Sequence, residues 1–184
     1  IMTLAMALAS GLIGMIDDRA KLRKKRNEGL TAPQKFLLQL VLSGLYLLGM
    51  RLIGAINTSM RIPFTGIHLE LGIFYYIIAL LLLCGVMNSV NLTDGIDGLA
   101  SSVTSVVALF FGAAAFFTGK ADPSLAAVSA LMLGSCTGFL VYNAYPARVF
   151  MGDTGSLFLG GLVVGAAFLA DNPLIVIICG LVYI

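Results

Sequence analysis

The sequence predicts an all-α polytopic membrane protein with about five complete spans, two truncated ones and a short external β-hairpin, in a single membrane domain over residues 1–184. Three observations carry this expectation. Apolar residues make up 59% of the chain and charged residues 11%, against roughly 25% charged in a soluble domain, and mean hydropathy is +1.01. Apolar runs long enough to cross about 30 Å of hydrocarbon recur at about 36–56, 71–90, 99–118 and 123–142, with a shorter one at 155–170. Basic residues crowd into one stretch, from Arg19 to Arg26. An ordinary soluble domain is excluded.

Residues 1–16 begin within an apolar run, without a charged leader or cleavage site, and residues 173–184 stop within another, so the chain reads as a fragment of a larger protein. The basic cluster Arg19, Lys21, Arg23, Lys24, Lys25 and Arg26, followed by Lys35, marks its loop as cytoplasmic by the positive-inside rule. Counting spans from there places the loops near 88–98 and 143–154 on the same side. Eight of the eleven basic residues then lie inside, with only Arg51, Arg61 and Lys120 outside. A topology signal or lipid-headgroup contact explains the cluster without any chemistry.

The acids sort in the same way. Asp17, Asp18, Glu28, Asp94, Asp97 and Asp153 fall inside, whereas Glu70, Asp122 and Asp171 fall outside. Carboxylates from three loops beside a Lys/Arg cluster are the ingredients of a site for a divalent cation and a phosphorylated ligand. Hard Mg²⁺ prefers carboxylate oxygens, and cationic side chains offset phosphate charge. Asp17 and Asp18 close the first run. Lys21, one turn on, or a metal would relieve their repulsion, and Lys25 shares that face by four-residue spacing.

Thr31-Ala32-Pro33-Gln34 has the spacing of a capping box with proline in the first turn, so a helix starts there and runs through the second span. Residues 57–70 form the external hairpin, turning between Pro63 and Gly66, and place the single histidine, His68, far from the acids. Asn91-Leu92-Thr93-Asp94-Gly95-Ile96-Asp97-Gly98-Leu99-Ala100 then interrupts the apolar pattern with polar groups that are costly at a membrane junction unless they meet water, a metal or a polar ligand. Asn91, Asp94 and Asp97 recur every third residue and would share a face if the segment is helical or tightly turned. Gly95 and Gly98 allow close approach, and Asp97 is a candidate cap for the next helix.

Ala121-Asp122-Pro123 and Asp171-Asn172-Pro173 read as outer turns, each with proline opening a helix. Cys84, Cys136 and Cys179 have no metal-ligand spacing and read as buried thiols. Gly155, Gly160, Gly161 and Gly165 have the small-residue spacing that lets membrane helices approach closely. In the loop from Asn143 to Ser156, Asp153 is a candidate cation ligand. Phe150 offers a flat face on which a base can stack, although an interfacial anchor accounts for it equally.

Four segments together, Asp17-Asp18 with Lys21, Lys25 to Thr31, Asn91 to Ala100 and Asn143 to Ser156, resemble the phospho-N-acetylmuramoyl-pentapeptide transferase family. That family lies within the polyprenyl-phosphate sugar-1-phosphate transferases, and the likeness is to its central half. The resemblance implies Mg²⁺-dependent transfer of phospho-MurNAc-pentapeptide from UDP-MurNAc-pentapeptide to undecaprenyl phosphate, releasing UMP and forming lipid I for peptidoglycan synthesis. It places the enzyme in the bacterial plasma membrane as a multi-pass protein with its site on the cytoplasmic face. It assigns Mg²⁺ binding to Asp153, action at the acceptor phosphate to Asp17 and Asp18, and phosphate holding to Lys21 and Lys25. Asn91, Asp94 and Gly95 would line the nucleoside and diphosphate region, Asp97 and Phe150 would recognise uracil, and Asn143 would support the site. A homodimer in the lipid bilayer is typical of the family, and no nucleic-acid partner is expected. The family's lysine- and threonine-bearing early loop and its later histidine-rich loop have no counterpart here, so the isolated 184 residues are expected to be inactive. A sister transferase moving GlcNAc-1-phosphate to the same lipid is the nearer alternative. A cation transporter is the other, but it would place acids near mid-membrane, not at helix ends on one side.

Overall fold

In the computed structural model, which describes residues 1–24, 29–61, 68–117, 123–170 and 174–183, seven helices and one small antiparallel sheet follow one another along the chain. The helices are α1 (Met2–Lys24), α2 (Ala32–Leu52), α3 (Phe74–Thr93), α4 (Leu99–Phe117), α5 (Pro123–Asn143), α6 (Gly152–Leu169) and α7 (Ile175–Val182). Between α2 and α3, β1 (Ser59–Arg61) pairs antiparallel with β2 (His68–Glu70) in the register Met60 to Leu69, the two strands of the expected hairpin, whose turn between Pro63 and Gly66 lies outside the described residues. Five helices, α2 to α6, are long and apolar enough to cross a membrane. The all-α, membrane-spanning expectation therefore holds.

Local signals set the helix starts. The Gln34 Oε1 accepts the Thr31 N–H at 3.0 Å and Pro33 lies in the first turn, so α2 begins where the capping box predicts. Pro123 opens α5, where its missing N–H costs nothing. Asp122 and the Asp171 to Pro173 turn lie outside the described residues, as do Lys25 to Glu28.

The core forms around α6, which packs most extensively on α1 and also on α3, α4, α5 and α7. Three of the four glycines noted in α6 make this possible. A Cβ on Gly160 would stand 2.9 Å from Met87 Cα, one on Gly161 2.8 Å from Ala7 Cα, and one on Gly165 2.6 Å from Thr3 Cγ2. Gly155 differs, since its Cβ would meet Met151, the residue just before its own helix. From α1, Gly14 completes the seam: a Cβ there would fall on the Asp153 carbonyl. Backbones this close bring the ends of α1 and α6, and hence their acids, together. The three cysteines are buried and free, as expected, with Cys84 Sγ 3.6 Å from Ser43 Oγ.

Candidate active site

The site is assembled at one end of the bundle from the C-terminal turns of α1 and α3 and the N-terminal turns of α2 and α6. Asp17, Asp18 and Asp153 each present an oxygen within 4.8 Å of the others. Lys21 lies among them, its Nζ 2.9 Å from Asp17 Oδ2, 3.7 Å from Asp18 Oδ1 and 2.7 Å from Asp153 Oδ2. Lys35, from the first turns of α2, donates to the same Asp153 Oδ2 at 2.9 Å and to Asn91 Oδ1 at 3.0 Å. The Asn91 amide in turn donates to Asp153 Oδ1 at 2.9 Å and to Ser156 Oγ at 2.7 Å. Both oxygens of Asp153 are thus held, and three helices meet on one carboxylate.

The two acids of α1 have different surroundings. Asp17 is buried, and its Oδ1 accepts the Leu30 N–H at 2.7 Å. Gly29 passes so close that a Cβ would stand 2.5 Å from the same oxygen. Asp18 reaches across to the start of α6, accepting from Thr154 N at 2.9 Å, Thr154 Oγ1 at 2.6 Å and Asp153 N at 3.3 Å. It caps α6 from another helix, satisfying end amides that would otherwise lack partners. Gly152, at φ +64° and with its Cβ position 3.0 Å from Asp18 Oδ2, allows this approach.

Burial is the largest single influence on the Lys21 ammonium and acts to lower its pKa. The hydrogen bonds to Asp153 and Asp17 outweigh it and hold the group above the usual lysine range. Asp94, just past the end of α3, is pushed up to about 6 by burial first and then by the charges of Asp153 and Asp18. Its folded pKa exceeds the unfolded value, so protonated Asp94 favours the fold. That contribution is complete below the usual carboxylate range and is lost as pH rises through about 6. An NMR titration of the Asp94 carboxyl is expected to show this midpoint, and Asp153→Asn is expected to lower it by removing one repelling charge. An unchanged midpoint would remove Asp153 as a cause.

A second cluster ties the two polar loops together. Asn143 is buried. Its Oδ1 accepts from Gly98 N at 3.1 Å and Ser101 Oγ at 3.5 Å, and its Nδ2 donates to the Val149 carbonyl at 2.9 Å. Gly98 turns the chain at φ +73°, a conformation suited to glycine. Asp97 is not the cap of α4. Gly98 intervenes before the first helical residue, Leu99, and Asp97 Oδ2 accepts the Ala147 N–H at 2.9 Å instead. The three-residue recurrence of Asn91, Asp94 and Asp97 does not make one helical face either, because α3 ends at Thr93. Asn91 turns to Asp153 while Asp97 turns to the α5–α6 loop. Gly95 and Phe150 are exposed, the latter 57%. Lys25 lies outside the described residues.

Sequence reasoning assigned no role to Lys35, Thr154 or Ser156. Lys35 resembled one more inner-side charge; its signal was a lysine in the first turns of a spanning helix, where a cation needs a partner. Three carboxylates offer the oxygen donors that Mg²⁺ takes, and Lys21 Nζ stands against one oxygen of each, so the residues fit a small divalent cation. A test follows from this fit. Lys21→Gln leaves the acids short of a countercharge and is expected to lower the melting temperature by about 2–4 °C in EDTA, the shift roughly 1 kcal/mol produces at this size. Millimolar Mg²⁺ should restore it, and no recovery would speak against a cation among these oxygens.

Acids and ammonium groups thus cluster where the end of α1 meets those of α2, α3 and α6, three helices long and apolar enough to cross a membrane. The chain belongs to glycosyl transferase family 4, whose description matches residues 1–171. Within it, the chain is similar to phospho-N-acetylmuramoyl-pentapeptide-transferases. It is 46% identical to that of Clostridium perfringens (strain SM101 / Type A), covering 95% of this chain and 53% of the relative. It is 45% identical to that of Desulfitobacterium hafniense, covering 100% and 58%, and 40% identical to that of Halalkalibacterium halodurans, covering 100% and 56%. The chain therefore spans a little over half the length of these curated relatives, and the resemblance read from its motifs is borne out.

Proposed function

We propose that this chain forms the catalytic centre of a phospho-N-acetylmuramoyl-pentapeptide transferase, which moves phospho-MurNAc-pentapeptide from UDP-MurNAc-pentapeptide to undecaprenyl phosphate and releases UMP. The product is lipid I, made at the cytoplasmic face of the bacterial plasma membrane. The observation that carries this reading is the meeting of Asp17, Asp18 and Asp153 around Lys21, with Lys35 and Asn91 on Asp153.

Phosphoryl transfer depends on positioning and charge neutralisation more than on covalent help. Asp153, with Asp17 and Asp18 within reach, would hold Mg²⁺, which when bound would supply charge neutralisation for the transfer. Lys21 and Lys35, both on Asp153, take phosphate oxygens once the diphosphate enters, and Lys25 is assigned to phosphate holding by resemblance. Asp17 and Asp18 act at the acceptor phosphate. Asn91, Asp94 and Gly95 border the nucleoside and diphosphate region, and Asn143 keeps the α3–α4 loop against the α5–α6 loop. Asp97 and Phe150, on those two loops, are assigned to uracil. A soluble nucleotide and a lipid phosphate can meet only where water meets membrane, and helix ends lie there.

The test uses the full-length protein with Mg²⁺ and undecaprenyl phosphate, offered UDP-MurNAc-pentapeptide or UDP-GlcNAc, with UMP release as the readout. Release with the muramoyl substrate alone is expected. Release with UDP-GlcNAc alone would move the protein to the sister branch, and release with neither would overturn the transferase reading.

A further inference from the structure

The end of α2 remote from the acids carries a feature that the proposed reaction does not use. Lys35 and Arg51 lie sixteen residues apart on this helix, roughly 24 Å at 1.5 Å per residue, so Arg51 stands at the opposite membrane interface. It is exposed and forms no ion pair among the described residues. Its guanidinium carbon lies 5.5 Å from the centroid of the Tyr76 ring on α3. From Arg51 a groove of about 290 Å³ runs between α2 and α3 into the apolar zone, walled by Leu47, Leu48, Ile77 and Leu80. Gly44 opens its inner end, for nothing lies within 4 Å of the place a Cβ would take. No residue lining the groove is acidic.

A guanidinium at headgroup depth above an apolar channel is complementary to a phosphate ester joined to an alkyl chain. Arginine binds phosphate oxygens through parallel N–H donors, and tyrosine favours the interface. An apolar helix laid in the same groove would bury the guanidinium without a counter-charge, at high cost. A zwitterionic lipid would bring a second cation for which the lining has no acid. We propose that the groove holds one anionic phospholipid of the leaflet opposite the active site, its phosphate on Arg51 and one acyl chain between α2 and α3 as far as Gly44.

Native mass spectrometry of the full-length protein, titrated with phosphatidylglycerol or phosphatidylcholine, tests this. Wild type is expected to retain one phosphatidylglycerol per protomer in preference to phosphatidylcholine. Arg51→Gln should weaken that binding about tenfold and leave phosphatidylcholine unchanged, whereas Arg51→Lys keeps most of it. Gly44→Leu, which fills the groove, should weaken both lipids. Melting curves confirm that the variants fold, as both positions face outward. Equal retention of the two lipids by wild type, or unchanged phosphatidylglycerol binding in Arg51→Gln and Gly44→Leu, would overturn the proposal. A disulfide between two Leu48→Cys protomers would do the same by placing a second copy in the groove.

Discussion

Asp153→Asn in the full-length protein is expected to reduce UMP release by about 10³-fold or more, with the loss in kcat rather than KM. The substitution keeps the shape of the side chain and removes the charge that Lys21 and Lys35 share on a single oxygen. It also removes an oxygen donor from the only three-carboxylate group among the described residues. The Asn91 hydrogen bond to Oδ1 can survive, but the new amide N–H faces the Lys21 and Lys35 ammonium groups and both charge pairs are lost, so the melting temperature should fall as well. A variant that still folds yet keeps a tenth or more of wild-type activity would remove Asp153 from the centre of the reaction.

Gly14→Ala is expected to have the largest effect on the fold. Its new methyl would fall on the carbonyl of Asp153, a backbone atom that cannot rotate aside, so α1 and α6 must separate at the active site. Overpacking of this kind costs about 1–3 kcal/mol, and a backbone neighbour puts this case at the upper end. Melting temperature and activity should fall together, because the same displacement moves Asp17 and Asp18 away from Asp153. Gly85→Ala is the comparison: nothing lies within 4 Å of its Cβ position, and alanine favours a helix by up to about 1 kcal/mol over glycine. Equal melting temperatures for the two variants would show that the α1–α6 seam yields without cost.

The site was partly legible in the sequence. Asp17, Asp18, Lys21, Asn91 and Asp153 stood out because charged or amide groups at the edge of apolar runs need partners, and the structure brings all five together. Lys35 went unassigned because a single lysine near a basic cluster has a sufficient explanation in topology. Its hydrogen bonds to Asp153 and Asn91 depend on how α2 packs, not on its neighbours in sequence. The cap of α4 offered by Asp97 is not formed for a related reason: its carboxylate accepts from Ala147 of a loop distant in sequence, a partner that local spacing does not reveal.

By itself the sequence determined where the helices run, at which helix ends the acids lie and which family's motifs they form. Apolar run length, capping residues and charge asymmetry are local quantities, and the bilayer reads them one segment at a time. Only the tertiary structure decided that α6 lies at the centre, that Asp18 caps it from α1 and that Asp97 holds the neighbouring loop. The first two follow from the close approach of backbones at Gly14, Gly160, Gly161 and Gly165. Glycines at such spacing are frequent in membrane helices, and the spacing does not say which partner each will meet. That choice is made by packing between helices distant in sequence, which sets what each polar group finds within hydrogen-bonding reach.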